Sequence, residues 1–178
     1  MIVKENEILW AKVNKNAIIP TKNNEDAGYD IYACFENDYI IIYPNSTKLI
    51  PTGIACALND KYYLQLEERG STGSKGIKRS AGVIDSGYRG EIFVAITNCN
   101  EYPLIISKLS NDELFKRFQI VKESFVLYDK IEIYPYSKAI CQGIVHEVPK
   151  LISKEISYDD LKEYNSKRGT NKLGQSGK

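Results

Sequence analysis

Gly82-Val-Ile-Asp85-Ser-Gly-Tyr88-Arg89-Gly90 is the stretch from which the rest of the chain can be read. Two apolar residues run into Asp-Ser-Gly, which tolerates tight and left-handed backbone, and Tyr-Arg-Gly leads out again. The pattern predicts a β-hairpin presenting one carboxylate, one aromatic ring and one guanidinium from a short turn. Working outward, β-rich runs occupy residues 7–13, 39–43, 48–50, 62–67, 91–97, 131–136 and 139–148. Turn residues punctuate them at 23–26, 44–45, 59–60, 86–87 and 98–103. Short strands separated in this way predict an all-β domain, a jelly roll or distorted β-barrel. Helix is expected at 110–118, which opens on cap-type residues, and at 157–164, where Ser157 and Asp160 form a capping-box-like start.

A chain of 178 residues supports one principal domain. We expect a β domain over 1–166 and a flexible, Gly-rich basic arm over 167–178. Residues 107–130 alternate charged and aromatic side chains and read as an insertion, a candidate surface for a protein partner. The formal net charge of +1 does not favour a nucleic-acid polymer as partner. Apolar runs such as 39–43 are too short to cross a bilayer, and the polar turn directly after Met1-Ile-Val predicts no secretory signal. The four cysteines, Cys34, Cys56, Cys99 and Cys141, form no C-x-x-C pair and sit among apolar neighbours. They are expected to be reduced core thiols of a cytoplasmic protein, or of a host-cell cytoplasm if the source is viral. With His146 as the one histidine, Ser-His or Cys-His machinery and a multi-His zinc site are disfavoured, and His146 is expected to be exposed on a strand.

Asp85 has two readings. A carboxylate before Ser-Gly commonly caps its own turn, and one held at the floor of a cleft can act as a general base on water. Tyr88 is either a sheet-packing ring or a platform for a sugar, and Arg89 is either an ion-pair partner or a ligand group. Arg69-Gly70-Ser71-Thr72-Gly73-Ser74-Lys75-Gly76 lacks the P-loop spacing and is either an anion nest or a plain Gly/Ser connection. Ala27-Gly-Tyr-Asp30-Ile places another carboxylate at a strand start. The C-terminal Arg168-Gly to Ser176-Gly177 can wrap a phosphate chain with backbone N–H groups and a bidentate Arg, or simply fray.

In this order the pieces resemble the five motifs of the trimeric dUTP diphosphatase family. The matches are Ala27 to Ile31, Arg69 to Thr72 with Lys75-Gly-Ile, Gly82 to Ile92, Lys138 to Gln142, and Arg168 to Gly177. The resemblance implies a homotrimeric jelly roll that cuts dUTP into dUMP and pyrophosphate with Mg²⁺, each site drawing on three chains. By that analogy Asp85 orients the attacking water and Tyr88 packs under the deoxyribose, while backbone groups of Gly82, Val83 and Ile84 read the uracil. Arg69, Gly70, Ser71, Thr72, Lys138, Gln142 and Arg168 would hold the triphosphate, with Leu173, Gly174, Gln175, Ser176 and Gly177 closing over the nucleotide. Gln142 and Arg168 join Asp85 in the catalytic set. Asp30 supports it through water or an ion pair, and Mg²⁺ rides on the phosphates through water with no direct protein ligand.

The chain departs from the family pattern at several points. Glu68-Arg69-Gly70-Ser71 stands where the family has Pro-Arg-Ser, and Tyr136-Ser137-Lys138 where it has Gly-Asp-Arg. Leu173 replaces an aromatic, and Asn171-Lys172 replace two glycines. These read as tuning, since Asp85, Tyr88, Gln142 and Arg168 are kept. Two alternatives follow from the same fold: a dCTP deaminase, which lacks this Asp-x-x-Tyr-Arg-Gly segment, and a non-catalytic member serving as a protein-binding regulator.

Overall fold

The computed structural model describes residues 2–120 and 130–170, and there the backbone hydrogen bonds run mostly between strands. In chain order these are β1 (Ile8–Lys12), β2 (Gly28–Ile31), β3 (Tyr39–Ile42), β4 (Thr47–Pro51), β5 (Ile54–Leu58), β6 (Tyr62–Glu67), β7 (Ile77–Arg79), β8 (Val83–Ile84), β9 (Phe93–Asn98), β10 (Leu104–Ser107), β11 (Glu132–Pro135) and β12 (Cys141–Glu147). Helix is confined to α1 (Gly70–Gly73), α2 (Asn111–Ile120) and α3 (Tyr158–Glu163). The strands assemble as β2-β12-β6-β8, β4-β9-β7, β11-β10-β3 and β1-β5, an all-β arrangement of the jelly-roll type expected. One compact unit spans Met1–Val148 and a second spans Pro149–Lys178.

Strands β10 and β11 pair in parallel, with Leu104 opposite Glu132, so the chain between them must cross from one end of the pair to the other. Helix α2 lies on that crossover, within the segment expected to be an insertion. Ser110 starts it with a reciprocal cap: its N–H and hydroxyl reach Glu113 Oε2 at 2.9 and 2.7 Å. Leu114 on this helix is buried. In the second unit, Ser157 Oγ accepts from Asp160 N–H at 3.0 Å and opens α3 as expected.

The core is aliphatic. Its largest fully buried side chains, among them Ile31, Ile50, Leu64, Leu66, Ile92 and Leu104, are all Ile or Leu. Each contributes about 1.5–3 kcal/mol by leaving water. The buried polar residue Asn98 is fully paired: its amide donates to the carbonyls of Ile42 and Tyr102 at 3.0 and 2.8 Å and its oxygen accepts from Asn100 N–H at 3.1 Å.

Two expectations need correction. Residues 82–90 do not form a self-paired hairpin. β8 pairs with β6, Ile84 opposite Leu64, whereas the chain leaving the turn joins β9 in another sheet, beside β4 and β7. Ile92 and Val94 are completely buried, and Ile92 N–H bonds Ile54 C=O at 2.8 Å. Core burial therefore draws the outgoing arm away from its neighbour in sequence. Nor is Cys99 a core thiol: it is exposed just past the end of β9, while Cys34, Cys56 and Cys141 are buried and free.

Gly53 knits this arrangement together. Its carbonyl accepts from Val13 and Asn14 N–H at 2.8 and 3.0 Å, and its N–H donates to the Glu91 carboxylate at 2.8 Å. Its φ is +65°, and a Cβ there would lie 2.9 Å from each of Ala17 Cβ, Asn14 Cβ and Cys34 Sγ. Gly53→Ala should therefore cost about 2–4 kcal/mol, the sum of left-handed strain and overpacking, read as a lower urea midpoint with unchanged slope.

Candidate functional site

The register of β12 builds the site. Gln142 stands opposite Asp30 of β2 on one side and Glu67 of β6 on the other. Directly opposed residues share a face, so these three polar side chains line up while their neighbours Cys141 and Ile31 point into the core, both completely buried. Gln142 Nε2 donates to Glu68 C=O at 2.9 Å. Its side chain lies flat against Gly28, where a Cβ would come within 3.0 Å of Gln142 Cβ and Oε1. That contact accounts for the glycine before Tyr29-Asp30.

Arg69 lies two residues past the end of β6. Its Nε and Nη2 meet the two oxygens of Asp30 at 3.0 and 3.3 Å, and Nη1 donates to Ala139 C=O at 3.3 Å. The guanidinium is thus aimed by a carboxylate on β2 and a carbonyl ahead of β12. Beside it opens a cleft of about 510 Å³ lined by Asn23, Asp26, Ala27, Gly28, Asp30, Arg69, Gly70, Ser71 and Gln142. Asp30, Arg69, Gly70, Ser71 and Gln142 are therefore brought together around one cleft. Asn23 and Asp26 were missed. The signal that could have found them is the turn-type run Asn23-Asn-Glu-Asp26, which the structure closes with the Asp26 carboxylate accepting from Asn23 N–H at 3.0 Å and from Asn23 Nδ2 at 2.8 Å.

Thr72 is not on the cleft wall. It is buried, and its hydroxyl accepts from Arg69 N–H at 3.1 Å and donates to Arg69 C=O at 3.0 Å. It braces the loop from within, while Ser71 beside it lines the cleft. Lys138 is exposed on a turn closed by its N–H to Pro135 C=O, 3.0 Å.

The Asp85 turn is not part of the cleft lining. Tyr88 N–H bonds Asp85 C=O at 3.0 Å and closes the turn. The Asp85 carboxylate is exposed and accepts no hydrogen bond from a described residue. Tyr88 folds back over Gly90, whose missing Cβ makes room for the phenol, and its hydroxyl donates to Glu91 C=O at 2.9 Å. Leu66 N–H donates to Gly82 C=O at 2.7 Å, so the Gly82 carbonyl is already engaged. Alternation along an antiparallel pair then turns the N–H and C=O of Val83 toward the open edge of the sheet. Among residues 82–84, Val83 is the one that presents both backbone groups outward.

Arg168 belongs to the second unit, where its N–H and that of Gly169 donate to Ser166 Oγ at 3.2 and 3.0 Å. Leu173, Gly174, Gln175, Ser176 and Gly177 lie outside the described residues. His146 is exposed on β12, stacked on Tyr63 at 5.4 Å, as expected of a surface strand residue. No helix among the described residues is long and apolar enough to cross a membrane.

A family model for dUTPase matches residues 14–110. The chain is 32% identical over 104 residues to the deoxyuridine 5'-triphosphate nucleotidohydrolase of Leptospira interrogans, covering 56% of this chain and 71% of the relative. It is 39% identical over 106 residues to the Clostridium kluyveri protein of the same name (57% and 72% covered), and 32% over 124 residues to that of swinepox virus (66% and 85%). Among solved structures, a mutant dUTPase of Staphylococcus bacteriophage 80alpha with dUpNHpp superposes with a TM-score of 0.70 over 97% of this chain and 99% of its own, at 21% identity. At that identity the likeness concerns the fold.

The thiols add nothing nucleophilic to the site. Burial pushes Cys56 up to about 11 against the opposing charge of Arg89. It also raises Cys34, against a hydrogen bond with Tyr136, and Cys141 next to Gln142. Thiols raised in this way stay protonated near neutrality and unreactive. An aromatic disulfide reagent at about pH 8 should titrate Cys99 rapidly and the other three only on unfolding, and Cys99→Ser should abolish the fast phase.

Proposed function

The chain belongs to the dUTPase family, and from that we propose that it hydrolyses dUTP to dUMP and pyrophosphate. Such an activity keeps uracil out of DNA and supplies dUMP for thymidylate synthesis. The observation that carries the reading is the Asp85 turn: an exposed carboxylate that accepts no hydrogen bond from a described residue, next to a tyrosine ring pinned over Gly90.

Asp85 accepts a proton from the water that attacks the α-phosphorus and orients its lone pair, a contribution of about 10² to 10⁴ in rate. The Tyr88 ring carries the deoxyribose where a 2′-hydroxyl would collide, and Val83 offers its outward N–H and C=O to the uracil edge. Negative charge gathers on the leaving pyrophosphate. Arg69, the Gly70 and Ser71 groups, Gln142, Lys138 and Arg168 receive it, with residues 173–177 closing over the nucleotide. No covalent intermediate is needed.

Among the described residues no three carboxylates, thiols or imidazoles gather as a metal cage. The cleft does line up Asp26 and Asp30 beside Arg69, hard oxygen donors suited to a hydrated Mg²⁺. Asp30 would hold a hydrated Mg²⁺ through water, and the ion would supply neutralisation of the triphosphate charge. Because the Asp85 turn stands outside the cleft lining of its own chain, we place the turn of one copy against the cleft of another in a closed homotrimer, the arm coming from a third. The reading sets the protein in the cytoplasm of its cell or host cell. The family match ends at residue 110, so most of residues 107–130 lies beyond it, and helix α2 there exposes Phe115, which supports an added protein partner on this insertion.

Pyrophosphate release should be confined to dUTP in a panel with dCTP, dTTP and UTP; ammonia release from dCTP would favour the deaminase alternative instead. Asp85→Asn should lower kcat by about 10²- to 10⁴-fold with dUTP affinity little changed, and near-normal turnover would remove Asp85 from its role. Mixing Asp85→Asn subunits with subunits truncated after residue 167 should restore part of the activity lost in each, since some mixed sites carry neither defect. No recovery on mixing would argue for sites contained within one chain.

A further inference from the structure

Arg79 closes β7, three residues before Gly82. Its side chain is 18% exposed, and Nη2 lies 2.9 Å from Glu67 Oε2 and 4.0 Å from Glu68 Oε2. Its backbone N–H donates to the other Glu68 oxygen at 2.9 Å. On its opposite side the arginine stem fills the space under Gly82, where a Cβ would fall 2.7 Å from Arg79 Cδ and 2.9 Å from Nη1. Arg79 is therefore wedged between the end of β6, which runs through Glu68 into Arg69, and the residue that opens β8 and leads to Asp85. The same Glu68 offers its carbonyl to Gln142.

Strand β8 has two residues and two register partners on β6, which is marginal pairing by itself. The Asp85 turn hangs from it. Beside the Leu66 N–H to Gly82 C=O hydrogen bond at 2.7 Å, the packing of Arg79 against Gly82 and its ion pairs to the end of β6 are the contacts that tie the entry of β8 to β6. Arg79 Nε is also buried without a hydrogen-bond partner among the described residues. That unmet donor is a cost, carried by a side chain whose remaining donor contacts all run to the end of β6.

We propose that Arg79 is a positioning residue for dUTP hydrolysis, holding the Asp85 turn in register on β6 and tying it to the Glu68-Arg69 segment. This rests on Asp85 being the group that acts on the attacking water. Arg79→Met should lower kcat about 10- to 100-fold, as expected when a catalytic group is displaced by about 1 Å, with KM within about threefold and the melting temperature within a few degrees of wild type. Arg79→Lys, which keeps the charge and the stem, should recover part of the loss. In an Asp85→Asn background Arg79→Met should add less than about twofold, since the two substitutions act through one group. Amide hydrogen exchange over residues 83–88 should accelerate in Arg79→Met while β9 is unaffected. This readout does not depend on activity, so a wild type inert toward dUTP would sink the functional reading without touching the exchange result. The proposal is overturned if Arg79→Met turns over within twofold of wild type, if its loss multiplies fully with that of Asp85→Asn, or if exchange at 83–88 is unchanged.

Discussion

Strand β12 is held from both sides at once, and the rest of the molecule depends on that constraint. Its hydrogen bonds run to β2 and to β6, so its register must satisfy two partners, with Gln142 level with Asp30 and Glu67. A one-residue slip would turn the completely buried Cys141 outward and drive Gln142 into an aliphatic core. The cost of burying that amide unpaired keeps the register where it is. Core packing thereby fixes the position of polar groups that contribute nothing to the core.

From that register the cleft beside Arg69 follows by short steps. Asp30 is set by β2, and it aims Arg69 through two contacts at 3.0 and 3.3 Å. Gly28 leaves room for Gln142, and Thr72, turned inward, holds the Arg69-Gly70-Ser71 segment open toward the cleft. The pair Arg69–Asp30 is partly exposed, its side chains 30% and 36% accessible. Its value is therefore orientation of the guanidinium more than stability, since ion pairs open to water are worth about 0–1 kcal/mol. An arginine already organised on a carboxylate offers its remaining donors to an anion without ordering a flexible side chain at the moment of binding.

The turn that carries Asp85 is organised on the opposite logic. It leaves one sheet and enters another, so neither flank can stabilise it as a hairpin would. Burial of Ile92 and Val94 anchors its outgoing arm, the Gly53–Glu91 hydrogen bond ties that arm to the β4–β5 connection, and the Tyr88 phenol closes it from above. The carboxylate itself is exposed and accepts no hydrogen bond from a described residue.

Much of this was legible in the chain. β6 emerged over its full length because Tyr62 to Glu67 alternates and mixes aromatic with branched aliphatic residues, and β1, β3, β4 and β11 emerged within two residues at each end. β5, Ile54-Ala-Cys-Ala-Leu58, was not anticipated: four of its five residues are buried, so it shows no alternation, and its small side chains carry no strand preference. β10 escaped for the same reason, all four of its residues being buried. By itself the amino-acid sequence determined the all-β class, the turns, and the caps of α2 and α3, because turn preference and capping are local properties. The tertiary structure alone decided that Gly82–Gly90 bridges two sheets, that Thr72 faces inward while Ser71 lines the cleft, that Cys99 is exposed, and that Arg79 wedges Gly82 against Glu67. Those outcomes depend on which distant strand is adjacent and which face is buried, and burial against residues far away in the chain leaves no mark on the local pattern.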